Sequence, residues 1–212
     1  EKVDPRTQPG SKLIVVKKNS AAGSRKANIV AAERAMKLGR YAAAAEMYEA
    51  LYARSKRDPA ILMGRALAYQ RLGQHDMAVE SYERLLDIRP KNLEARVNML
   101  GIIGQRYPAV AARQLLDLRE EYPDNVGLVA QVAVMQAKLQ NFDEAVRYLG
   151  IAASMEPQNA SHVFNMAVIA DKAGDKKKAI EYYEEALEVD SIYGKGATIP
   201  RDSVFERLAA LR

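Results

Sequence analysis

The sequence predicts an all-α solenoid of five helix-turn-helix repeats followed by a C-terminal capping helix. Small and large side chains recur in one register, at steps of 34, 34, 33 and 34 residues. Three columns share these steps: Ala32, Ala66, Leu100, Ala133 and Ala167; Ala44, Ala78, Ala112, Ala145 and Ala179; and Tyr48, Tyr82, Leu116, Leu149 and Tyr183. The first two columns lie about one helix apart across a turn. A fixed period of this length indicates stacked helix pairs.

Each column has a packing role within the repeat. Small residues such as Ala66 and Ala78 let the two helices approach closely, and a bulkier side chain there would overpack the contact. Gly73 supplies the left-handed conformation that ends the first helix of its repeat. The third repeat departs from the pattern, because Tyr107 stands in the turn where glycine stands elsewhere and Pro108 follows it. We therefore expect this repeat to be irregular, with a local change in superhelix pitch.

The turns and repeat ends resemble those of the tetratricopeptide repeat family over about residues 25–191. Leu38-Gly39, Leu72-Gly73 and Ala173-Gly174 are similar to its turn between helices, although Gln140 replaces glycine in the fourth repeat. Pro90, Pro123 and Pro157 are similar to the proline at its repeat end. The resemblance implies a right-handed superhelix that binds proteins. The alanine-rich style resembles bacterial members that serve pilus, secretion or envelope assembly.

The predicted organisation has three parts. Residues 1–24 are a basic flexible tail with one apolar island, Leu13 to Val16, and residues 192–212 are a linker and capping helix. The repeats between them are 25–58, 59–92, 93–125, 126–159 and 160–191. Ser24 is the expected cap of the first helix, the second helix is expected to run to about Lys56, and Asp202-Ser203 is the expected cap of the last. Side-chain caps are also predicted at Asp58, Asn92, Asn125 and Asn159.

Charge and composition limit the classes of partner. The net charge is +5, but residues 1–27 hold seven basic and two acidic side chains, so residues 28–212 carry 25 of each sign. Without a basic stripe on the repeats, we expect no nucleic-acid partner. No apolar run approaches the length of a membrane span. We expect a soluble bacterial protein, cytoplasmic or periplasmic, that could be anchored to a membrane upstream of Glu1.

The residues that carry enzyme chemistry are sparse. The chain has no cysteine and two histidines, His75 and His162, which lie more than two repeats apart and cannot share a metal ion. Phosphate-binding glycine loops and nucleophile-base sets are absent from the sequence. We therefore predict a protein without catalytic activity, metal or cofactor.

Function is expected on the concave face, which in the resembled family is lined by the first helix of each repeat. The partner-binding candidates carried over on this basis are Ile29, Glu33, Met63, Leu67, Gln70, Arg71, Val97, Gly101, Ala130, Val134, Lys138, Phe164, Val168 and Lys172. Most are apolar or small. Family members that clamp a C-terminal carboxylate place lysine and asparagine where this chain has Met63 and Leu67, or the equivalent pairs. The resemblance thus favours an apolar peptide or helix of a partner protein.

Two alternatives remain for this face. Its apolar side chains, such as Met63, Val97 and Val134, could be core residues between adjacent helices. The chain could also be a homo-oligomeric scaffold whose groove accepts the N-terminal tail of its own chain or of a neighbour. In that case Leu13 to Val16 would dock as a strand-like segment and compete with partner peptides.

Overall fold

The computed structural model describes residues 21–194 and 196–212, with side chains from Arg25 onward, and this part of the chain is entirely helical apart from turns. The predicted all-α helical-repeat solenoid is confirmed. The apolar island Leu13 to Val16 lies outside the described residues. The helices are α1 (Ala21–Lys37), α2 (Tyr41–Tyr52), α3 (Pro59–Arg71), α4 (His75–Ile88), α5 (Leu93–Arg106), α6 (Pro108–Glu121), α7 (Val126–Lys138), α8 (Phe142–Met155), α9 (Ala160–Lys172), α10 (Lys176–Ile192) and α11 (Arg201–Leu211).

Four first helices begin at the side-chain caps that the sequence predicts. Asp58, Asn92, Asn125 and Asn159 each accept a hydrogen bond from a backbone N–H in the first turn, at 2.8–3.1 Å. These bonds satisfy amide groups that have no partner inside a helix. The start of each repeat is therefore determined by one local residue.

Three predicted helix ends are wrong. Helix α1 begins at Ala21, so Ser24 lies inside its first turn instead of capping it, and α2 ends at Tyr52 rather than near Lys56. Helix α11 begins at Arg201 after Pro200, with no side-chain cap, so Asp202 and Ser203 are helical. Propensity alone does not place these ends, because packing against neighbouring helices extends or shortens a helix.

The third repeat has a different turn from the others. The other four turns contain a residue with positive φ, which is Gln140 at 63° in the fourth repeat and glycine elsewhere. In the third, Tyr107 has φ −128° and alone separates α5 from α6, with Pro108 as the first residue of α6. Leu115 is fully buried while Leu116 is only half-buried, so the column assigned to Leu116 is shifted by one residue. Because this turn is shorter, the buried position of α6 falls one residue earlier than the repeat spacing predicts.

The alanine columns form the contact between the helices of each repeat, as their spacing predicts. Ala66 and Ala78 are fully buried, and so are their counterparts Ala32, Ala44, Ala133, Ala145, Ala167 and Ala179. Each helix packs on the next, and first helices also contact each other directly, α1 with α3 and α5 with α7. Helix α1 therefore lies beside α3, and α5 lies beside α7.

Helix α11 closes the C-terminal end. Its buried side chains, Val204, Leu208 and Leu211, lie on one side and join the core of α9 and α10. The sequence predicts these three residues as the apolar stripe of a capping helix. They cover the apolar surface that the last repeat of a solenoid otherwise exposes to water.

Candidate interaction surface

The first helices present equivalent side chains in rows of three. Residues spaced four apart lie on one side of a helix, and the predicted binding residues follow this spacing. In α3 the row is Met63, Leu67 and Arg71, and in α7 it is Ala130, Val134 and Lys138. We call the surface made by the rows of α1, α3, α5, α7 and α9 the first-helix face.

Exposure increases along each row. The first members are Ile29, Met63, Val97, Ala130 and Phe164, which are half-buried except for the buried Val97. The second members are Glu33, Leu67, Gly101, Val134 and Val168, and the third positions are Lys37, Arg71, Gln105, Lys138 and Lys172. Val134 and Val168, at 41% and 40%, are the most exposed of the large apolar side chains in these rows.

Several candidates have partners inside the repeats. Ile29 and Met63 are half-buried and pack against the core of the N-terminal repeats. Phe164 packs on Tyr183 of α10, with ring centroids 6.1 Å apart and the planes tilted by 54°. Gln70 accepts a hydrogen bond from the hydroxyl of the fully buried Tyr82 at 2.6 Å. These contacts give Phe164 and Gln70 a role in holding a first helix against its second helix. Val97, at 9% exposure, is also part of the core.

A groove lies between α5 and α7 on this face. Its volume is about 440 Å³, and Val97, Asn98 and Gln131 are among the residues that line it. The Gln131 side chain lies close to Gly101, where a side-chain Cβ would approach its amide at 3.6 Å. Gly101 thus lets the Gln131 side chain lie against α5 at the position where the second repeat has Leu67.

The acidic residue Asp171 lies near the end of α9 but is already paired. Arg207 of α11 donates two hydrogen bonds to its carboxylate, at 2.6 and 2.7 Å. These bonds, chiefly, hold the pKa of Asp171 below its ordinary value. Asp171 is therefore ionised and neutralised within the chain.

The buried Arg65 is not among the residues predicted from the sequence. Its side chain lies between the rings of Tyr52 and Tyr69, at 4.7 and 5.1 Å from their centroids, and its Nε donates to Glu49 at 2.6 Å. The Tyr69 hydroxyl donates to the same carboxylate oxygen at 2.6 Å. The sequence does contain a signal for it, because the equivalent positions of the other repeats hold uncharged residues: Ala31, Met99, Val132 and Met166. Arg65 joins the first repeat to the second and does not lie on the first-helix face.

Histidine and acidic side chains in residues 21–194 and 196–212 do not assemble into a metal site. No three histidine, aspartate or glutamate side chains there come together as metal ligands. His162 is buried and its Nε2 lies 3.0 Å from a carboxylate oxygen of Glu156. The same oxygen accepts a hydrogen bond from Asn159, and this contact, followed by that with His162, lowers the pKa of Glu156. The arrangement joins the turn before α9 to the helix.

None of the described helices combines the length and the apolar character that crossing a membrane requires.

Solved structures with the same architecture are repeat proteins. TTC0263, a thermophilic tetratricopeptide repeat protein of Thermus thermophilus, is 22% identical with a TM-score of 0.72, covering 88% of this chain and 98% of that one. PilW, described as a widely conserved type IV pilus biogenesis factor, is 22% identical with a TM-score of 0.68, covering 79% and 78%. MamA from Desulfovibrio magneticus RS-1 is 16% identical with a TM-score of 0.61, covering 79% and 95%. A search of curated proteins finds no significant match.

The fold and the open first-helix face define a helical-repeat interaction scaffold, a class that works by holding other proteins. The tetratricopeptide repeat model matches residues 29–92 and 136–193, which together are more than half of the chain. The chain therefore belongs to the tetratricopeptide repeat family, whose members are generally interaction modules without catalytic activity.

Proposed function

We propose that this protein is a non-catalytic adaptor or assembly scaffold that binds an apolar peptide or helix of a partner protein on its first-helix face. The observation that carries the proposal is the exposure of Val134 and Val168 at equivalent positions of successive repeats. The apolar area that Val134 and Val168 leave in contact with water is unfavourable in free energy. Contact with a partner would remove that area from water.

The neighbouring residues suit this role. Leu67 and Met63 extend the apolar surface onto the second repeat, and the groove beside Gly101 offers a place for one apolar side chain of the partner. A few buried anchors supply most of the free energy in interfaces of this kind. An amphipathic helix or an extended segment could use anchors spaced along such a surface.

The biological setting that we propose is bacterial pilus, secretion or envelope assembly. Support comes from the likeness in fold to PilW, a type IV pilus biogenesis factor, together with the family resemblance of the sequence. An assembly scaffold of this kind would need no catalytic group of its own. The expected partner is a component that is assembled or held in place.

The test is capture of partners from an extract of the native organism by three forms of the full chain. Val134→Ser combined with Val168→Ser should remove specific partners that wild type retains. Val110→Ser is the matched control, because Val110 is 51% exposed but lies on the second helix α6. All forms should melt at similar temperatures, since the changed side chains are exposed. Equal capture by the double variant and wild type would contradict the proposal.

The alternative is a homo-oligomeric scaffold whose groove accepts the N-terminal tail. The N-terminal end of the solenoid favours a second contact there, because Val30 and Met47 are 54% and 41% exposed. Light scattering of the chain with and without residues 1–20 tests this alternative while leaving α1 intact. A lower association state after the deletion would support it, and an unchanged state would argue against it.

A further inference from the structure

Basic residues occupy the last turn of every first helix. Lys37, Arg71, Arg106, Lys138 and Lys172 lie there in α1, α3, α5, α7 and α9. Four of them, at 37, 71, 138 and 172, keep the register of the repeat, and the irregular third repeat has Gln105 in that register with Arg106 next to it. The basic residues therefore follow the solenoid as a row.

The helix macrodipole does not account for this distribution. Cations stabilise the C-terminal end of any helix, so the same preference should apply to the second helices. The last turns of α2, α4, α8 and α10 contain no basic residue, and only α6, with Arg119, does. Basic residues in the last turn are thus a feature of the helices that form the first-helix face.

The basic row runs beside the apolar residues at constant distance. Lys138 follows Val134 by four residues, and Lys172 follows Val168 in the same way. One such step is about 6 Å along a helix. Neither Lys138 nor Lys172 forms an ion pair or side-chain hydrogen bond with the described residues. Both ammonium groups are available to a ligand that also covers the valines.

We propose that the partner segment is an acidic amphipathic one, whose apolar side chains cover Val134 and Val168 while its aspartate or glutamate residues pair with Lys138, Lys172 and Arg71. This inference rests on the proposed function and adds the chemistry of the partner. An acidic amphipathic segment would cover the valines and also pair with the basic residues, whereas the phosphates of a nucleic acid would pair with the basic residues alone. The basic row also disfavours basic segments that would fit the apolar surface alone.

The experiment is selection from a random peptide-display library against the full chain. Selected peptides should be enriched both in apolar residues and in aspartate or glutamate. With Lys138→Gln plus Lys172→Gln, the acidic enrichment should fall while the apolar enrichment persists. Lys91→Gln plus Lys177→Gln is the control, because it changes the net charge equally at exposed lysines that lie outside the first helices.

One selected peptide then gives the size of the effect. Its affinity should fall by about two- to thirtyfold in the Lys138 and Lys172 double variant, as loss of two exposed ion pairs implies. The control double variant should change it by less than about twofold. Added salt should weaken binding to wild type more than binding to the double variant, because exposed charges are screened.

The possible failures are distinguishable. Apolar enrichment without acidic enrichment would overturn this inference and leave the proposed function standing. Selected peptides with no apolar enrichment, or peptides that bind Val134→Ser plus Val168→Ser as well as wild type, would overturn the proposed function itself. A single-stranded oligonucleotide that binds as tightly as the peptide, and loses affinity in the lysine double variant, would overturn the assignment to an acidic protein segment.

Discussion

Arg65 and Asp190 are both buried, at 3% and 0% exposure, but different kinds of partner hold them. Arg65 lies between the first and second repeats. Its partners are side chains: the carboxylates of Glu49 and Glu80, which are 38% and 40% exposed, two tyrosine rings, and the hydroxyl of the fully buried Ser81. Glu49 and Glu80 would remain in contact with water if the guanidinium were removed.

Asp190 lies at the end of the last repeat, and most of its partners are backbone N–H groups of the segment that connects α10 to α11. Its carboxylate accepts hydrogen bonds from the backbone N–H of Thr198 at 2.8 Å and from Arg201 at 3.1 Å. Its own carbonyl accepts from the N–H groups of Gly194 and Gly196. Burial alone would raise the pKa of Asp190, but the bonds from Thr198 and Arg201 together lower it.

The two kinds of partner predict different losses of stability when Arg65 or Asp190 is replaced. Replacing a buried ion pair by apolar side chains of similar volume is often neutral in stability, whereas leaving one buried partner without the other is costly. Side-chain partners can rehydrate or repack. The Asp190 carboxylate is fully buried, so its removal leaves the Thr198 N–H facing an empty space instead of an acceptor. We therefore expect Arg65 to be replaceable and Asp190 not to be.

Asp190→Ala should have the largest effect in this series. It removes the acceptor of the Thr198 N–H and the carboxylate that pairs with Arg201, which keeps only its bond to the Leu187 carbonyl, and so loosens α11 from the last repeat. The melting temperature should fall more than for any other substitution below, and amide exchange should accelerate first in 197–211. Asp190→Asn, which keeps an acceptor but loses the charge, should lie between this variant and wild type. A melting temperature for Asp190→Ala equal to that of Arg65→Met would contradict the comparison.

Gly64→Ala should destabilise the Arg65 junction through packing. A Cβ at this position of α3 would overlap the ring of Tyr48, which is 2% exposed and must move. Overpacking of this kind costs about 1–3 kcal/mol. Gly150→Ala is the matched control, because a Cβ there meets nothing within 4 Å. The control should gain about 0.5–1 kcal/mol from the higher helix propensity of alanine. Denaturant unfolding measures both, and a gain for Gly64→Ala would show that the junction is loosely packed.

Asp171→Asn should remove a pH-dependent contact of the capping helix. The pKa of Asp171 is lowered in the folded chain, chiefly by its bonds to Arg207. Its contribution is therefore present above the ordinary pKa of about 3.9 and is lost as the pH falls through the lower folded value. The variant should be about 0.5–1 kcal/mol less stable than wild type at neutral pH, as for a pair whose arginine is half-exposed to water. The two should converge at strongly acidic pH in thermal melts. A stability difference between variant and wild type that stayed constant with pH would assign the effect to packing. Asp87→Asn, which changes an exposed aspartate on α4, is the control for the change in net charge.

Arg65→Met should have the smallest effect, within about 1 kcal/mol of wild type. Methionine occupies the equivalent positions 99 and 166, so the repeat accommodates its shape. The Ser81 hydroxyl keeps its bond to the Met77 carbonyl, and Tyr69 keeps its bond to Glu49. Arg65→Ala leaves a cavity instead and should be clearly less stable in the same denaturant series. A large loss for Arg65→Met would show that the guanidinium itself holds the two repeats together.

The sequence by itself determined the repeat, its register and most helix starts. Columns such as Ala66 and Ala78 recur because every helix pair has the same close contact, and caps such as Asn92 act on amides two or three residues away. These causes are local or periodic, so they are visible in one dimension. The same periodicity predicts the rows of the first-helix face, and their role in binding stays a prediction.

Only the tertiary structure decided which side chains are free and which are held. Phe164 packs on Tyr183, and Leu115 replaces Leu116 in the core because a one-residue turn rotates α6. Asp190 is buried because the chain bends back over it at Thr198, and Arg65 finds its carboxylates on α2 and α4. Each outcome depends on the angle and spacing between helices, which arise from the packing of whole surfaces. No single residue encodes that packing.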